Sequence, residues 1–366
     1  MGKIIESFPG ADGFRMPGEF EAHRGCWMLW PERLDNWRKG ANPAQKAYAK
    51  VAETINRFEP VNVGVTREQF PNARKMLHPE IRVVEIASND SWIRDTGATF
   101  VTGGSSLRAV DWKFNAYGGL HSGAYFPWDD DELIATKVAE IEGADRYMAP
   151  FILEGGAFHV DGEGTCIVVS ECLLHPNRNP HLKQEEIENF LKEYLGVEKI
   201  IWLEKGVYND GTNGHVDNLV CFSRPGEVLL HWEEDANDPQ HEISVLAFEQ
   251  LKRQKDARGR TLEIRKIPQP GPLFLQEEEV EDLAYSQYGR KKKAGERLPA
   301  SYINFYLPNG GVVVPTFGVS EDDEVLKIME GVFPDREVVG VYSREIILGG
   351  GNIHCITQQV PDEKKD

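Results

Sequence analysis

PHLKQEEIENFLKEYLGVEKIIWL (180–203) reads as one helix that runs directly into one strand. Ile187, Phe190, Leu191, Tyr194 and Leu195 recur at the spacing of one apolar helix face. Gly196 supplies the stop, and the apolar run over 197–203 is that of a buried strand. The same order recurs along the chain. A helix over 44–55 precedes a strand over 61–65, and a helix over 241–252 precedes a strand over 262–267. A helix over 131–141 opens with acidic residues, which suit the positive end of its dipole. Ser320 and Asp323 form a capping box for a helix over 322–329, followed by a strand over 337–341. Alternating helices and strands with short connections define an α/β chain.

Short polar and glycine-rich turns repeat beside these elements. NDSWIRDTG (89–97) is echoed by NDGTNGHVDN (209–218), and ILEGGAFH (152–159) by ILGGGNIHC (347–355). Asp95, Glu154 and Asp217 follow one another at 59 and 63 residues, and Cys355 lies 138 residues beyond Asp217, two steps of 69. A unit of about 60–70 residues, used five times, fills the chain. Its fourth member falls near 302–305, inside ASYINFY, which reads as a strand. The expected architecture is a ring of ββαβ units whose strand ends converge on one centre, with residues 1–366 forming a single catalytic domain.

Composition narrows the partners. The 366 residues are 40% hydrophobic and 27% charged, as in a globular protein. Asp and Glu outnumber Lys and Arg 59 to 41, for a net charge of −18. Such a surface repels nucleic acid and anionic membranes and favours small cations. No run of about 18 apolar residues exists to span a membrane, and no secretion signal precedes residue 18. Five cysteines without a CxxC pair or zinc spacing suit a reducing cytoplasm and predict no metal site. The acidic run over 277–282 and the basic run over 290–293 read as a solvated helix and its exit loop.

Cys355 follows Gly349, Gly350 and Gly351, where the backbone can approach a ligand closely; a thiol there is placed as a nucleophile. Cys166 and Cys221 sit in apolar runs and read as core, and Cys26 and Cys172 lean the same way. His215 and Asp217, at i and i+2 of an extended strand, would share one face. His354 would alternate away from Cys355 and take no part. Asp95, Glu154 and Asp217 would repel one another and rise in pKa unless a cation filled the gap between them. Guanidinium fits, because its fork of N–H donors matches two carboxylates. A thiol, a histidine and three carboxylates around a guanidinium specify one reaction. The thiolate attacks the central carbon, the histidine protonates departing ammonia, and water then releases a ureido product from an amidino-cysteine.

These residues lie in MPGEFEAHRGCWMLWPERLDNW (16–37), NDSWIRDTG, DWKFNAYGG (111–119), LEGGAFHVDG (153–162), DGTNGHVDN (210–218), GERLPASYINFY (295–306) and LGGGNIHC (348–355). Together the segments resemble the agmatine deiminases of the guanidino-group-modifying, or pentein, superfamily, over nearly the whole chain. The resemblance implies a five-bladed pseudo-symmetric α/β propeller of ββαβ units. It implies hydrolysis of agmatine to N-carbamoylputrescine and ammonia without metal or organic cofactor. It also implies Cys355 as nucleophile, His215 as general acid and base, Asp95 and Asp217 as the guanidinium pair, and Glu154 as the carboxylate that orients His215 and contacts the guanidinium. A homo-oligomer, dimer or tetramer, is expected on the same ground.

Agmatine lacks the carboxylate of arginine and ends in an ammonium. Trp92, three residues from Asp95, is the expected wall for its methylene chain, and Trp30 and Trp37 read as core. Asp210 is the expected partner of the ammonium, and Gly350 is expected to line the substrate site. The alternatives are an arginine or peptidyl-arginine deiminase and an amidinotransferase. A cysteine peptidase needs one acid rather than three, and a binding protein has no need of the thiol.

Overall fold

The computed structural model describes residues 2–363. The pattern of 180–203 becomes the helix Gln184–Leu195 and the strand Lys199–Leu203. Ile187, Leu191, Tyr194 and Leu195 are buried, and Phe190 is stacked on Phe151 with ring centroids 5.0 Å apart. Gly196 ends the helix at φ 64°, a left-handed conformation that costs glycine nothing. Residues 197 and 198 complete the turn, so the strand starts two residues later than its apolar run.

The described strands form five sheets, and one pairing pattern recurs in them. Thr99–Gly103 and Ser106–Lys113 pair antiparallel, and the helix Ile134–Glu142 crosses over to Asp145–Ile152, parallel to the second strand. Phe158–Val160, Thr165–Val169, the helix Gln184–Leu195 and Lys199–Leu203 repeat this order. So do Val220–Arg224, Glu227–Trp232, the helix Pro239–Lys252 and Glu263–Pro268. In the next unit the first strand shrinks to a bridge between Tyr306 and Val313, before Gly311–Thr316, the helix Glu321–Val332 and the parallel strand Glu337–Tyr342. The last unit joins the two ends of the chain. Gln358–Pro361 pairs antiparallel with His23–Leu29, which the helix Asn42–Ile55 links to the parallel strand Val61–Val65. These are the expected ββαβ units, each with its crossover helix packed on a buried parallel pair.

Three local readings are corrected. Ser320 makes no side-chain cap; Asp322 instead accepts from the amides of Phe317, Gly318 and Val319 at 3.1, 2.7 and 3.2 Å. The stretch 302–305 is a turn with a bend rather than a strand, because the chain must change direction before Tyr306. The charged runs are only partly solvated. Glu279 is buried in an ion pair with Arg344, and Lys292 is half-buried with Nζ on the carbonyl of Asn36 at 2.9 Å.

Each unit is entered through a tight turn, and these turns carry the polar residues. Asp95, Glu154, Asp217, Asn304 and Cys355 stand two to four residues ahead of the first strand, or bridge, of a unit. The framework that holds them is apolar. Leu191→Ala, at a fully buried site, should lower unfolding free energy by about 2–5 kcal/mol in urea titration.

Candidate active site

Five turns deliver five side chains to one place. Asp95 sits in the one-turn helix Ile93–Thr96. Its Oδ1 accepts from the amide of Gly156 at 2.9 Å and its Oδ2 from the hydroxyl of Tyr117 at 2.8 Å. Glu154 precedes the turn Gly155–Ala157. Its Oε1 accepts from Arg178 Nε at 2.6 Å, and its Oε2 lies 3.9 Å from His215 Nε2. His215 Nδ1 lies 3.7 Å from Asp95 Oδ1, so the imidazole stands between two carboxylates.

His215 and Asp217 are not on a strand. Val216–Asn218 is a short 3-10 turn, and the extended backbone of His215 (φ −56°, ψ 137°) ends just before it. The turn still turns both side chains inward. Gly156 makes the convergence explicit: a Cβ there would stand 2.6 Å from His215 Nδ1, 2.9 Å from Asp217 Oδ2 and 3.1 Å from Asp95 Oδ1. Only glycine fits between these three groups.

Cys355 also lies in a turn, and the strand alternation expected of it fails with it. His354 therefore faces the site from behind. Its Nδ1 is 2.8 Å from Asp217 Oδ2, and its Nε2 is 2.9 Å from Glu19 Oε2. Arg94 closes this network on Glu19 at 3.2 Å and ties down the carbonyl of His354 at 3.2 Å. Cys355 Sγ lies 3.6 Å from Asp217 Oδ2 and 3.2 Å from Asn304 Nδ2.

The electrostatics follow from these pairs. Burial raises the Asp95 carboxyl to about 6, helped by Asp217 and opposed by His215. Burial would raise Glu154 and Asp217 as well, yet both are held below the ordinary carboxylate value. Arg178 and His215 do this for Glu154, and His354 does it for Asp217. The mutual upward shift expected of clustered acids is thus limited to Asp95, because the protein supplies its own cations. His215 is raised well above the ordinary imidazole value: burial opposes its charge, but Asp95 and the hydrogen-bonding field of Cys172 and Glu154 prevail. Burial, Asp217 and Asp95 push the Cys355 thiol well above its ordinary value.

A cavity of about 340 Å³ opens onto this cluster, lined by Cys355, Asp95, Trp92, Tyr117, Thr212 and Gly350 among others. Trp92 lines the cavity, with its ring 5.3 Å from that of Trp37 and its Nε1 on Asp90 at 3.0 Å. Trp30 and Trp37 are core. Gly350, at φ 115°, lines the cavity where a side chain would be strained. Asp210 is corrected. Its oxygens accept from Thr212, from the amide of His215 at 3.1 Å and from Asn218 Nδ2 at 3.2 Å, so it braces the turn and does not line the cavity.

Among the described residues, two donor triads could hold a metal on distance alone: Glu154, Cys172 and His215, and Glu19, His159 and His354. Each contains a glutamate already paired with a buried arginine, whose charge opposes a second cation. Arg178, Glu19, Arg94 and Asn304 escaped the sequence reading, because nothing local marks a buried partner. The segments MPGEF and ASYINFY held two of them.

The arrangement can bind a planar cation between Asp95 and Asp217, whose buried Oδ1 has no partner, with a sulfur beside it and a protonated imidazole opposite. Of the five buried thiols only Cys355 lines this cavity. Iodoacetamide should therefore modify the native protein once, with a pH midpoint above that of a free thiol, and should not modify Cys355→Ser, as read by intact mass.

The chain is similar along its full length to proteins of known name. The agmatine deiminase of Pseudomonas aeruginosa is 53% identical over 362 residues, 98% of each chain. That of Pseudomonas fluorescens is 51% identical over 360 residues, again 98% of each. The solved structure of the agmatine deiminase of Enterococcus faecalis superposes with a TM-score of 0.96 at 45% identity, covering 100% of both chains. Residues 15–361 match the Porphyromonas-type peptidyl-arginine deiminase family, to which this chain belongs.

Proposed function

We infer that the protein is an agmatine deiminase, hydrolysing the guanidinium of agmatine to N-carbamoylputrescine and ammonia. The convergence of Asp95, Asp217 and His215 beside the Cys355 sulfur carries this reading, and relatives of that name at over 50% identity support it. The guanidinium enters as a cation and places N–H pairs on Asp95 and Asp217, which fixes its plane. Its charge reverses the field at Cys355, which two anions otherwise hold as a thiol, and the thiol proton leaves to solvent. The thiolate adds to the guanidinium carbon. His215, charged between Asp95 and Glu154, gives its proton to the departing nitrogen, and ammonia leaves. The neutral His215 then takes a proton from water as the oxygen adds to the amidino carbon. The C–S bond breaks as the remaining O–H proton leaves to solvent, which releases the ureido product and regenerates the thiolate. Glu154, anchored by Arg178, holds the imidazole in place through both halves.

Chain length and the missing carboxylate set the substrate. Trp92 offers a flat apolar wall to a methylene chain. Two of the three arginines that line the cavity are engaged by acids, Arg33 by Asp35 and Arg297 by Asp238, while Arg290 reaches Asn209 Oδ1 at 3.4 Å. Assays with agmatine, free arginine and a peptidyl-arginine should yield ureido product from agmatine by a wide margin. Equal turnover of the peptide would move the protein to the activity in its family's name.

Asp95→Asn and Asp217→Asn should each weaken the reaction by about 2–5 kcal/mol, read from kcat/KM. His215→Ala should lower kcat sharply in assays of ammonia and ureido release, because both the departure of ammonia and the attack of water lose their proton carrier. The acid limb follows from Asp95. With its carboxyl near 6 in the free protein, kcat/KM should fall as the pH drops through about 6, because the protonated acid no longer attracts the guanidinium.

A further inference from the structure

Asn304 occupies the turn where the repeat left a member unfilled, and it is fully buried. The partners of its amide fix which end is which. Its Oδ1 accepts from the backbone amide of His354 at 3.0 Å, and that of Cys355 lies at 3.4 Å. A backbone N–H can only donate, so this end is the oxygen. The NH2 end therefore faces Asn218 Oδ1 at 2.9 Å and Cys355 Sγ at 3.2 Å. Asn218 is oriented by the same logic. Its Nδ2 donates to Asp210 Oδ2 at 3.2 Å, and a carboxylate can only accept, so its oxygen must turn toward Asn304. From Asp210 to the sulfur, every hydrogen bond in the chain has one allowed direction.

The groups facing the sulfur make this donor matter. Asp217 and Asp95 are anions that oppose a thiolate, and the phenols of Tyr48 and Tyr117 are neutral neighbours. His354 is engaged by Asp217 and Glu19. The backbone at Asn352 and the amide of Asn304, whose Nδ2 lies 3.2 Å from the sulfur, oppose these anions at Cys355, with the charged imidazole of His215 across the site.

We propose that Asn304 is a catalytic residue whose Nδ2–H donates to the Cys355 thiolate, with Asp210 and Asn218 as positioning residues that keep the amide facing the sulfur. The proposal rests on the deiminase reading for its reaction. The thiol proton goes to solvent, the N–H holds the anion until a sulfur lone pair forms the C–S bond, and it receives the same anion when that bond breaks. Asp210, expected at the substrate's ammonium end, acts through the nucleophile instead.

The test is the pH dependence of Cys355 alkylation by iodoacetamide, together with kcat and KM for agmatine, in wild type, Asn304→Asp and Asn304→Ala. Asn304→Asp keeps the oxygen that His354 needs and loses the donor. A hydrogen bond to a charged group predicts a fall in kcat of about 10- to 100-fold, and an alkylation midpoint raised by about one unit or more. KM should stay within about threefold, and Asn304→Asp should be at least as impaired as Asn304→Ala, because it adds an anion. Coincident midpoints, or wild-type kcat in Asn304→Asp, overturn the proposal. If either Asn304 variant fails to fold, Asp210→Asn reads the same chain with Asn304 in place. It should move the midpoint upward by a smaller amount, and an unmoved midpoint overturns the proposal. Alkylation does not involve agmatine, so a wild type inactive on agmatine would refute the substrate reading while leaving this result to stand or fall alone.

Discussion

Three carboxylates buried around one small space cannot all be ionised unless something pays for their repulsion. Here the charge is balanced residue by residue. Arg178 holds Glu154, His354 holds Asp217, and Asp95 has only the shared imidazole of His215 and neutral donors from Gly156 and Tyr117. One acid is therefore left under-compensated, and a second keeps a buried oxygen without a partner. That deficit has the shape of the ligand. On the deiminase reading, a flat cation with N–H groups on two edges is what would fill that deficit, and its charge is what would turn the thiol into a nucleophile.

The rest of the molecule serves to hold this imbalance in place. Each ββαβ unit packs its crossover helix on a parallel pair and leaves a tight turn at its entrance. The turns can carry polar side chains inward because the strands behind them meet the needs of the backbone. A second layer of charge stands behind the first: Glu19, Arg94 and His354 connect segments that lie hundreds of residues apart. These ions are buried and mutually satisfied, so the carboxylates in front of them cannot relax away from the cavity.

The turns are also where reading by periodicity fails. His215 with Asp217, and His354 with Cys355, were placed by the two-residue alternation of a strand, and neither pair lies on one. The first pair nevertheless converges, since the extended backbone of His215 leads directly into the 3-10 turn that carries Asp217. The second pair was misjudged, and His354 is the partner that keeps Asp217 ionised. Asn304 was missed because the stretch around it has the aromatic and β-branched composition of a strand.

The local order of helix and strand, the spacing of the repeated turns and the five residues Asp95, Glu154, His215, Asp217 and Cys355 that the fold brings together were legible in the chain, because periodicity, glycine and residue type act over a few positions. Which cation pairs with which acid, the direction of the Asp210–Asn218–Asn304 hydrogen bonds, and the place of Asp210 away from the cavity were decided only on folding. Those contacts join residues far apart in sequence, such as Asp217 and His354, and depend on the backbone angles of turns, which no local pattern fixes.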